Sequence, residues 1–237
     1  MSNITVKNKV YERYIKRFLD IVISATAMIC LCWLYAILAI IVKLNLGSPV
    51  IFVHERPGRI DPKTGKEKLF KLYKFRSMTN ETDENGVLLP SKQRMTKFGK
   101  ILRATSLDEI PELWNILKGD MSFVGPRPWN KKYLPYYTEE EHCRHLVRPG
   151  LTGLAQVNGR NVADWDQRFK HDLYYVQNVS FLLDIKVLVQ TVIKVFKHAD
   201  IIEAGKQVVF SDYREQQWAE GIVPRPTTET ETESAVK

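Results

Sequence analysis

Residues 21–42 read IVISATAMICLCWLYAILAIIV, a run without a single charged side chain. At a rise of about 1.5 Å per residue, a helix of this length reaches across the ~30 Å hydrocarbon core of a bilayer. The run exceeds the apolar region of a signal peptide, and no A-x-A-like cleavage site follows it. It therefore reads as a membrane-embedded helix and not as the core helix of a globular domain. Its flanks complicate a simple crossing. Lys7, Lys9, Arg13, Lys16 and Arg17 precede it and Lys43, Arg56 and Arg59 follow, whereas a span normally carries its positive charge on one side. A segment that dips in and returns to the same face removes the conflict. Ser24, Thr26 and Tyr35 could help satisfy backbone groups at a bend, but no proline or glycine in the run forces one. Both re-entry and a span stay open on this evidence.

Working outward, the chain of 237 residues is long enough for one well-buried core with appendages. Its formal net charge is +8, from 35 Lys and Arg against 27 Asp and Glu. That balance suits anionic partners such as anionic membrane lipids, phosphorylated substrates or nucleic acid, and charge alone does not choose among them. The cysteines are Cys30, Cys32 and Cys143, with no C-x-x-C pair. A disulfide framework and a zinc site are both excluded by that pattern, and a reducing compartment is expected.

Residues 1–20 form a basic amphipathic lead-in, with Tyr11, Tyr14, Ile15, Phe18 and Leu19 at roughly helical spacing. Gly47-Ser48-Pro49 ends the membrane helix. Strands are expected at 50–53 and 69–75, joined through the turn DPKTGK at 61–66 as a hairpin, with a polar surface loop at 80–90. Helical patterns cover 96–103 and 110–117, with Gly119 placed to close the second, and 123–161 reads as irregular functional loops. Two more helices are expected at 165–176 and 180–198. The second sets Leu182, Ile185, Leu188, Val189, Val192 and Phe196 against Lys186, Lys194, Lys197 and His198, which suits either a core-facing helix or one lying on a membrane surface. The acidic tail from Pro224 is expected to be disordered. The resulting division is a lead-in and membrane helix (1–46), a catalytic domain (47–205) and a C-terminal extension (206–237).

The chemistry concentrates in FGKILRATSLDEIPELWNILKGDMSFVGPRP at 98–128. There Ser106-x-x-Glu109 matches a capping box, and Asp108 could itself cap a helix with Pro111 in its first turn. Taken alone, the string marks a helix start. A helix N-terminus also favours an ionised carboxylate and an adjacent anion, so Asp108 is a candidate nucleophile toward phosphate. Such a site needs cations. Arg103 lies about one helical turn before the pair, Arg127 sits in Gly-Pro-Arg-Pro, Arg148 in Val-Arg-Pro-Gly, and Arg160 in Asn-Gly-Arg-Asn. Lys74 and Arg76 come from Tyr-Lys-Phe-Arg. Arginines fixed between prolines and glycines have a defined direction, which favours Arg127 and Arg148 as phosphate ligands. His142-x-x-His145 reads as a solvated charged helix and not a metal site, and no P-loop, G-x-G-x-x-G or G-x-S-x-G is present.

These residues resemble the bacterial monotopic phosphoglycosyl transferases, the undecaprenyl-phosphate sugar transferases. The matching strings are KR-x-x-D at 16–20, GSPVIF at 47–52, ERPG at 55–58, KFRSM at 74–78 and LR-x-TSLDE at 102–109. LKGDMSFVGPRP at 117–128, VRPGLTG at 147–153 and AQVNGRN at 155–161 complete them, in order over about residues 12–200. The resemblance implies a small α+β, α-rich domain with a short β-hairpin, a re-entrant helix and surface amphipathic helices. It implies a site at the cytoplasmic face of the bacterial inner membrane, in a minimal form without further N-terminal spans. Lys16, Arg17, Asp20 and Trp33 would anchor the membrane helix.

By the same resemblance, Asp108 would attack the β-phosphate of a UDP-sugar, releasing UMP and leaving a phosphosugar on its carboxylate. Undecaprenyl phosphate would then take the phosphosugar, the first membrane step of glycoconjugate synthesis. Mg2+ would bind with the phosphates at Asp108, Glu109 would complete the dyad, and Arg103, Arg127 and Arg148 would hold phosphate charge. No nucleic acid partner is implied. The sugar class expected is a UDP-N-acetylhexosamine, discriminated by residues 129–137. One departure stands out: the family commonly has Ser-Pro near the middle of its membrane helix, where this chain has Cys32-Trp33. A bend would then rest on back-bonding from Ser24 or Thr26, or on contacts with the basic helices. Two other readings are a membrane-anchored module that binds anionic lipid without catalysis, and a phosphohydrolase that uses the same aspartate with water as acceptor.

Overall fold

The computed structural model describes residues 4–158, 165–196 and 208–225. A π-helical turn (Tyr11–Ile15) leads into α1 (Lys16–Cys30), which meets α2 (Cys32–Leu46) at Leu31 with a bend of 64°. Among the described residues no single helix is long and apolar enough to cross a membrane, although the bent pair has the length and composition to do so together.

The first helix is inside out. Its buried residues are Lys16, Asp20 and Ser24, spaced four apart, while Phe18, Ile21, Val22 and Ile29 are exposed. A helix in water would reverse that arrangement. Two residues of the buried stripe, Lys16 and Asp20, bind the domain. Lys16 Nζ pairs with the Asp184 carboxylate, which also accepts from Tyr11 Oη (2.7 Å) and Tyr175 Oη (2.6 Å). Arg17 donates to the carbonyls of Ile116 and Leu117, both at 2.6 Å, and Asp20 Oδ1 accepts from Ser122 Oγ (3.0 Å) and Phe123 N (3.1 Å). The expected anchors Lys16, Arg17 and Asp20 thus turn inward and clamp the helix to the domain, and Trp33 alone of the four is exposed.

Back-bonding does not place the bend. Ser24 Oγ does donate to the Asp20 carbonyl (2.6 Å), but the break lies seven residues later. There Ala27, Met28 and Leu31 pack on Phe70, Leu72, Leu113, Ile116 and Met121. Beyond it Leu38 and Val42 bury against Phe75 and Leu102, while Trp33, Ile40 and Leu44 face outward. Docking of two successive segments on two different core clusters holds the angle.

The hairpin is longer than expected: β1 (Ile51–Ile60) pairs antiparallel with β2 (Glu67–Phe75), with Phe52 opposite Lys74, His54 opposite Leu72 and Arg56 opposite Phe70. Two short helices follow, α3 (Ser91–Arg94) and α4 (Lys97–Ala104), then α5 (Glu112–Lys118), which closes on Gly119 in the left-handed region as predicted. The segment read as irregular holds a second sheet. In it β3 (Ser122–Val124) lies parallel to β4 (Gly150–Thr152), with α6 (Glu139–His142) between them in sequence. Strands of three residues are too short to show alternation. The approach is close enough that a Cβ at Gly150 would lie 2.1 Å from the Gly125 nitrogen.

Helices α7 (Leu154–Asn158), α8 (Trp165–Asn178) and α9 (Phe181–Phe196) complete the main core around Val124, Val147, Tyr175, Val176 and Val187. Most of the apolar stripe of α9 does not face that core: Asp184 and Val187 are buried and Leu188 packs at its edge, whereas Leu182, Ile185, Val189 and Val192 are exposed. A last helix, α10 (Phe210–Ala219), lies in the extension for which no helix was expected. Its Phe210 is fully buried among Trp129, Tyr133, Tyr136, Tyr137, Trp165 and Phe169. Among the described residues the fold is thus α-rich with one antiparallel hairpin and one parallel pair.

Candidate active site

Helix α4 starts at Thr96, whose Oγ1 accepts from Gly99 N at 3.0 Å. Gly99 sits so tightly on Ser77 that a Cβ there would meet the Ser77 carbonyl oxygen at 1.9 Å. This contact brings Arg103 Nε to Ser77 Oγ at 2.8 Å. The chain then turns through Ser106 at φ 56°, the one positive-φ residue other than glycine among the described residues, a conformation that stores strain. A 3-10 turn (Leu107–Glu109) follows, pinned by Leu107 and Ile110 against the cluster of Val42, Phe75 and Leu102.

Two expectations fail here. Ser106 is left-handed and its side chain makes no cap bond, so no capping box forms. Asp108 does not cap α5 either, because Pro111 occupies that position and Asp108 lies in the preceding turn.

Asp108 and Glu109 border a cleft of about 570 Å3 with Lys74, Arg76, Arg103 and Arg127. Lys74 Nζ lies 2.6 Å from Glu109 Oε1 and 3.0 Å from Glu112 Oε1, and Arg127 Nη2 lies 3.1 Å from Glu109 Oε1. The carboxyls respond differently. Burial, then the neighbouring Glu109, pushes Asp108 up to about 6, against the opposing pull of Lys74, Arg103 and Arg127. Contrary to the helix-start argument, the surroundings hold Asp108 toward its protonated form. Burial also works to raise Glu109, but Arg127 and Lys74 overcome it and hold the group at about 2. Burial and Glu109 push Glu112 up to about 7.

Arg76 borders the cleft but spends its guanidinium on the end of α2, donating to the carbonyls of Leu46 and Ser48. Arg148 is not brought to Asp108. It pairs with Glu12 at 3.2 Å and lines a separate cavity of about 250 Å3 with Arg59 and Asp120. The Pro-Gly that was expected to aim it at phosphate instead feeds β4, where the Pro149 carbonyl accepts from Ser122 N. Arg160 lies outside the described residues. The segment 129–137 does not line the cleft; its aromatic rings bury Phe210 instead.

Sequence reading missed Arg56 and His54, which line the cleft, and Glu112 beneath Lys74. The period-2 alternation 52, 54, 56 opposite 74, 72, 70 could have found the first two. Arg144 was also missed. Fully buried, it binds Asp172 and donates to the Arg127 carbonyl at 2.8 Å, so it holds the strand-to-loop turn that presents Arg127. His142 and His145 are structural, and the second is buried where a solvated helix was expected: His142 pairs with Glu67, and His145, driven down to about 3 by burial and then Arg144, faces the Gly58 carbonyl. Among the described residues no three His, Cys, Asp or Glu side chains group to hold a metal.

Comparison with known proteins gives a consistent picture. A family model described as bacterial sugar transferase matches residues 11–198. An uncharacterized sugar transferase of Bacillus subtilis (strain 168) is 47% identical over 181 residues, 76% of this chain and 87% of that protein. The UDP-N-acetylgalactosamine-undecaprenyl-phosphate N-acetylgalactosaminephosphotransferase of Aeromonas hydrophila is 35% identical over 76% of this chain and 43% of its own length. The UDP-glucose:undecaprenyl-phosphate glucose-1-phosphate transferase of Klebsiella pneumoniae is 40% identical over 76% of this chain and 40% of its own. The matched region thus spans less than half of the two last-named relatives.

Proposed function

The chain belongs to the bacterial sugar transferase family, and from that premise we propose that it transfers a sugar phosphate from a UDP-sugar to undecaprenyl phosphate through a covalent intermediate on Asp108. The observation that carries this reading is the cleft itself, where a carboxylate with 7% exposure faces a pocket walled by Lys74, Arg103 and Arg127. In the first step an Asp108 carboxylate oxygen forms a bond to the β-phosphorus, and the bridging bond to the α-phosphate breaks. UMP leaves with that bond's electron pair, and the phosphosugar stays on Asp108. In the second step a phosphate oxygen of the lipid attacks the same phosphorus and expels the carboxylate, giving a lipid diphosphate-sugar and regenerating the enzyme.

The residues divide the work. Arg103, tied to Ser77, and Arg127, positioned through Arg144, flank the dyad and offset phosphate charge. Glu109 holds Lys74 and Arg127 in place and stays ionised. Asp108 together with the oxygens of a bound diphosphate would form a donor set that suits Mg2+, which keeps most of its ligands as water and substrate oxygens. Asp108 would hold that ion together with the phosphates, and the ion would supply further neutralisation of their charge.

The membrane reading rests on polarity. Apolar residues of α1, α2 and α9 are exposed while the clamped stripe of α1 is polar, which favours contact with lipid; the arrangement we propose is a re-entrant pair at the cytoplasmic face of the bacterial inner membrane, with α9 on its surface. The donor class we propose is a UDP-N-acetylhexosamine. The test is release of UMP from a panel of radiolabelled UDP-sugars with undecaprenyl phosphate and Mg2+. A transferase makes labelled lipid product and UMP together. UMP released on every turnover without lipid would instead establish a phosphohydrolase, and no reaction with any donor would refute both.

A further inference from the structure

Glu112 has no place in the steps above, yet its carboxyl lies against their machinery. The residue is 3% exposed, at the start of α5, and its Oε1 lies 3.0 Å from the same Lys74 nitrogen that binds Glu109. That contact is close in distance but lacks hydrogen-bond alignment, so Oε1 is a buried acceptor with a charge partner and no donor. Buried groups in that condition are costly when ionised. Four charged groups bear on it from the elements packed around it. They are Lys74 from β2, Arg56 from β1, Glu109 from the 3-10 turn and Arg127 from the loop after β3.

We propose that Glu112 is a positioning residue that acts through Lys74, its buried carboxyl governing how much of the ammonium charge is offered to the phosphates of a bound nucleoside diphosphate. This rests on the reading of the cleft as a UDP-sugar site. The physical reasoning is direct. One ammonium stands between two carboxyls, Glu109 firmly ionised by Arg127 as well as Lys74, Glu112 titrating near neutrality after burial and repulsion from Glu109. When Glu112 is ionised, Lys74 is shared between two anions, and a third negative charge stands close to the dyad. When Glu112 is protonated, it can donate a hydrogen bond of its own, and Lys74 is left to Glu109 and the incoming phosphate. A diphosphate entering the cleft brings negative charge, which favours the protonated form, so binding draws a proton onto Glu112 by linkage.

The experiment uses the full-length chain in detergent, with UDP as probe. Titration calorimetry at pH 7.5 in buffers of different ionisation enthalpy reads the protons taken up per UDP bound. The wild type should take up a fraction of a proton that Glu112→Gln loses, while the variant still binds UDP. In turnover, the wild-type KM for the UDP-sugar should rise roughly three- to tenfold from pH 6 to pH 8, the scale of one partly screened charge at this range. In E112Q that rise should flatten, with the effect confined to KM. Equal proton uptake by the two proteins, or an unchanged KM slope, would overturn the role of Glu112 alone. Absence of UDP binding by the wild type would instead overturn the nucleotide-site reading and this inference with it.

Discussion

Arg144 and Asp172 form an ion pair sealed from solvent, with Arg144 Nη2 2.7 Å and Nε 3.0 Å from Asp172 Oδ2. The same guanidinium lies 4.3 Å over the Trp129 ring and donates to the Arg127 carbonyl. One buried cation therefore joins α8, the aromatic cluster and the turn that presents Arg127. Asp172→Asn should leave that guanidinium buried without its counter-charge, at a cost of about 3–5 kcal/mol. Urea unfolding measures the loss. UMP release should fall as well under conditions where the variant remains folded, because the Arg127 turn loses its support. A variant as stable and as active as the wild type would show the pair to be dispensable.

Asp108→Asn should abolish both UMP release and lipid product while the chain remains folded. Transfer retained by this variant would refute the nucleophile assignment. In E112Q, where the opposing effect of Glu112 on KM is removed, kcat/KM should rise with pH through about 6 as the Asp108 carboxyl ionises. The stability effect has the opposite sense. A folded pKa raised from 3.8 to about 6 means that the folded state binds the proton more tightly, so stability is fully present below about pH 4 and is lost as pH rises through 6. D108N should therefore be more stable than the wild type at pH 7.5, on the order of 2 kcal/mol, and no more stable at pH 3.5.

Gly99→Ala should drive α4 off Ser77, since the obstructing atom is a backbone oxygen that cannot rotate away. The bond from Arg103 to Ser77 would go with it. We expect a drop in kcat/KM for the UDP-sugar of roughly tenfold or more, together with lowered stability, as a misplaced positioning group usually produces. Wild-type kinetics in G99A would show that the α4 contact does not set the cleft.

Phe210→Ala should cost about 3–5 kcal/mol, the range for removing a large ring from a full aromatic environment. Thermal unfolding with and without the extension from residue 208 onward distinguishes the cases. A brace predicts that F210A and the truncation lose similar stability, whereas a passive tail predicts that neither loses any.

For the bent pair, cysteines placed at positions 5 and 45, in a background without Cys30, Cys32 and Cys143, should label from the same, cytoplasmic side. Labelling from opposite sides would exclude re-entry and leave the chemistry untouched.

Much of this molecule is legible in its sequence where the signal is local. The Asp61–Lys66 turn announces the hairpin, Thr96 and Gly119 mark real helix ends, and the order Lys74, Arg103, Asp108, Glu109, Arg127 gathers at one cleft. What escaped depends on partners distant in the chain. The parallel pair joins Ser122 to Gly150 in strands too short to carry a period. Arg148 sits in a rigid turn as expected, but that turn runs into β4 and its guanidinium goes to Glu12, more than a hundred residues away. Helix α10 has almost no amphipathic pattern, and it is seated by Phe210 in the aromatic cluster and by buried Arg214, which pairs with Glu141. Nothing in the sequence sets Glu112 apart, and only the fold puts Lys74 over it. The polarity of α1 is the sharpest case, since the residues expected to anchor the membrane helix find their partners in the domain, far along the chain.

That clamp has a mechanical meaning. With Lys16, Arg17 and Asp20 each gripping a different part of the domain, the first helix cannot serve as a slack leash on which the catalytic unit swings. Helix and cleft move as one solid body, so whatever depth the bent pair adopts in a lipid layer fixes the altitude of Asp108 above it. On the proposed reading, an acceptor confined to that layer would meet the carboxylate at one set height, and its search would be reduced to two dimensions.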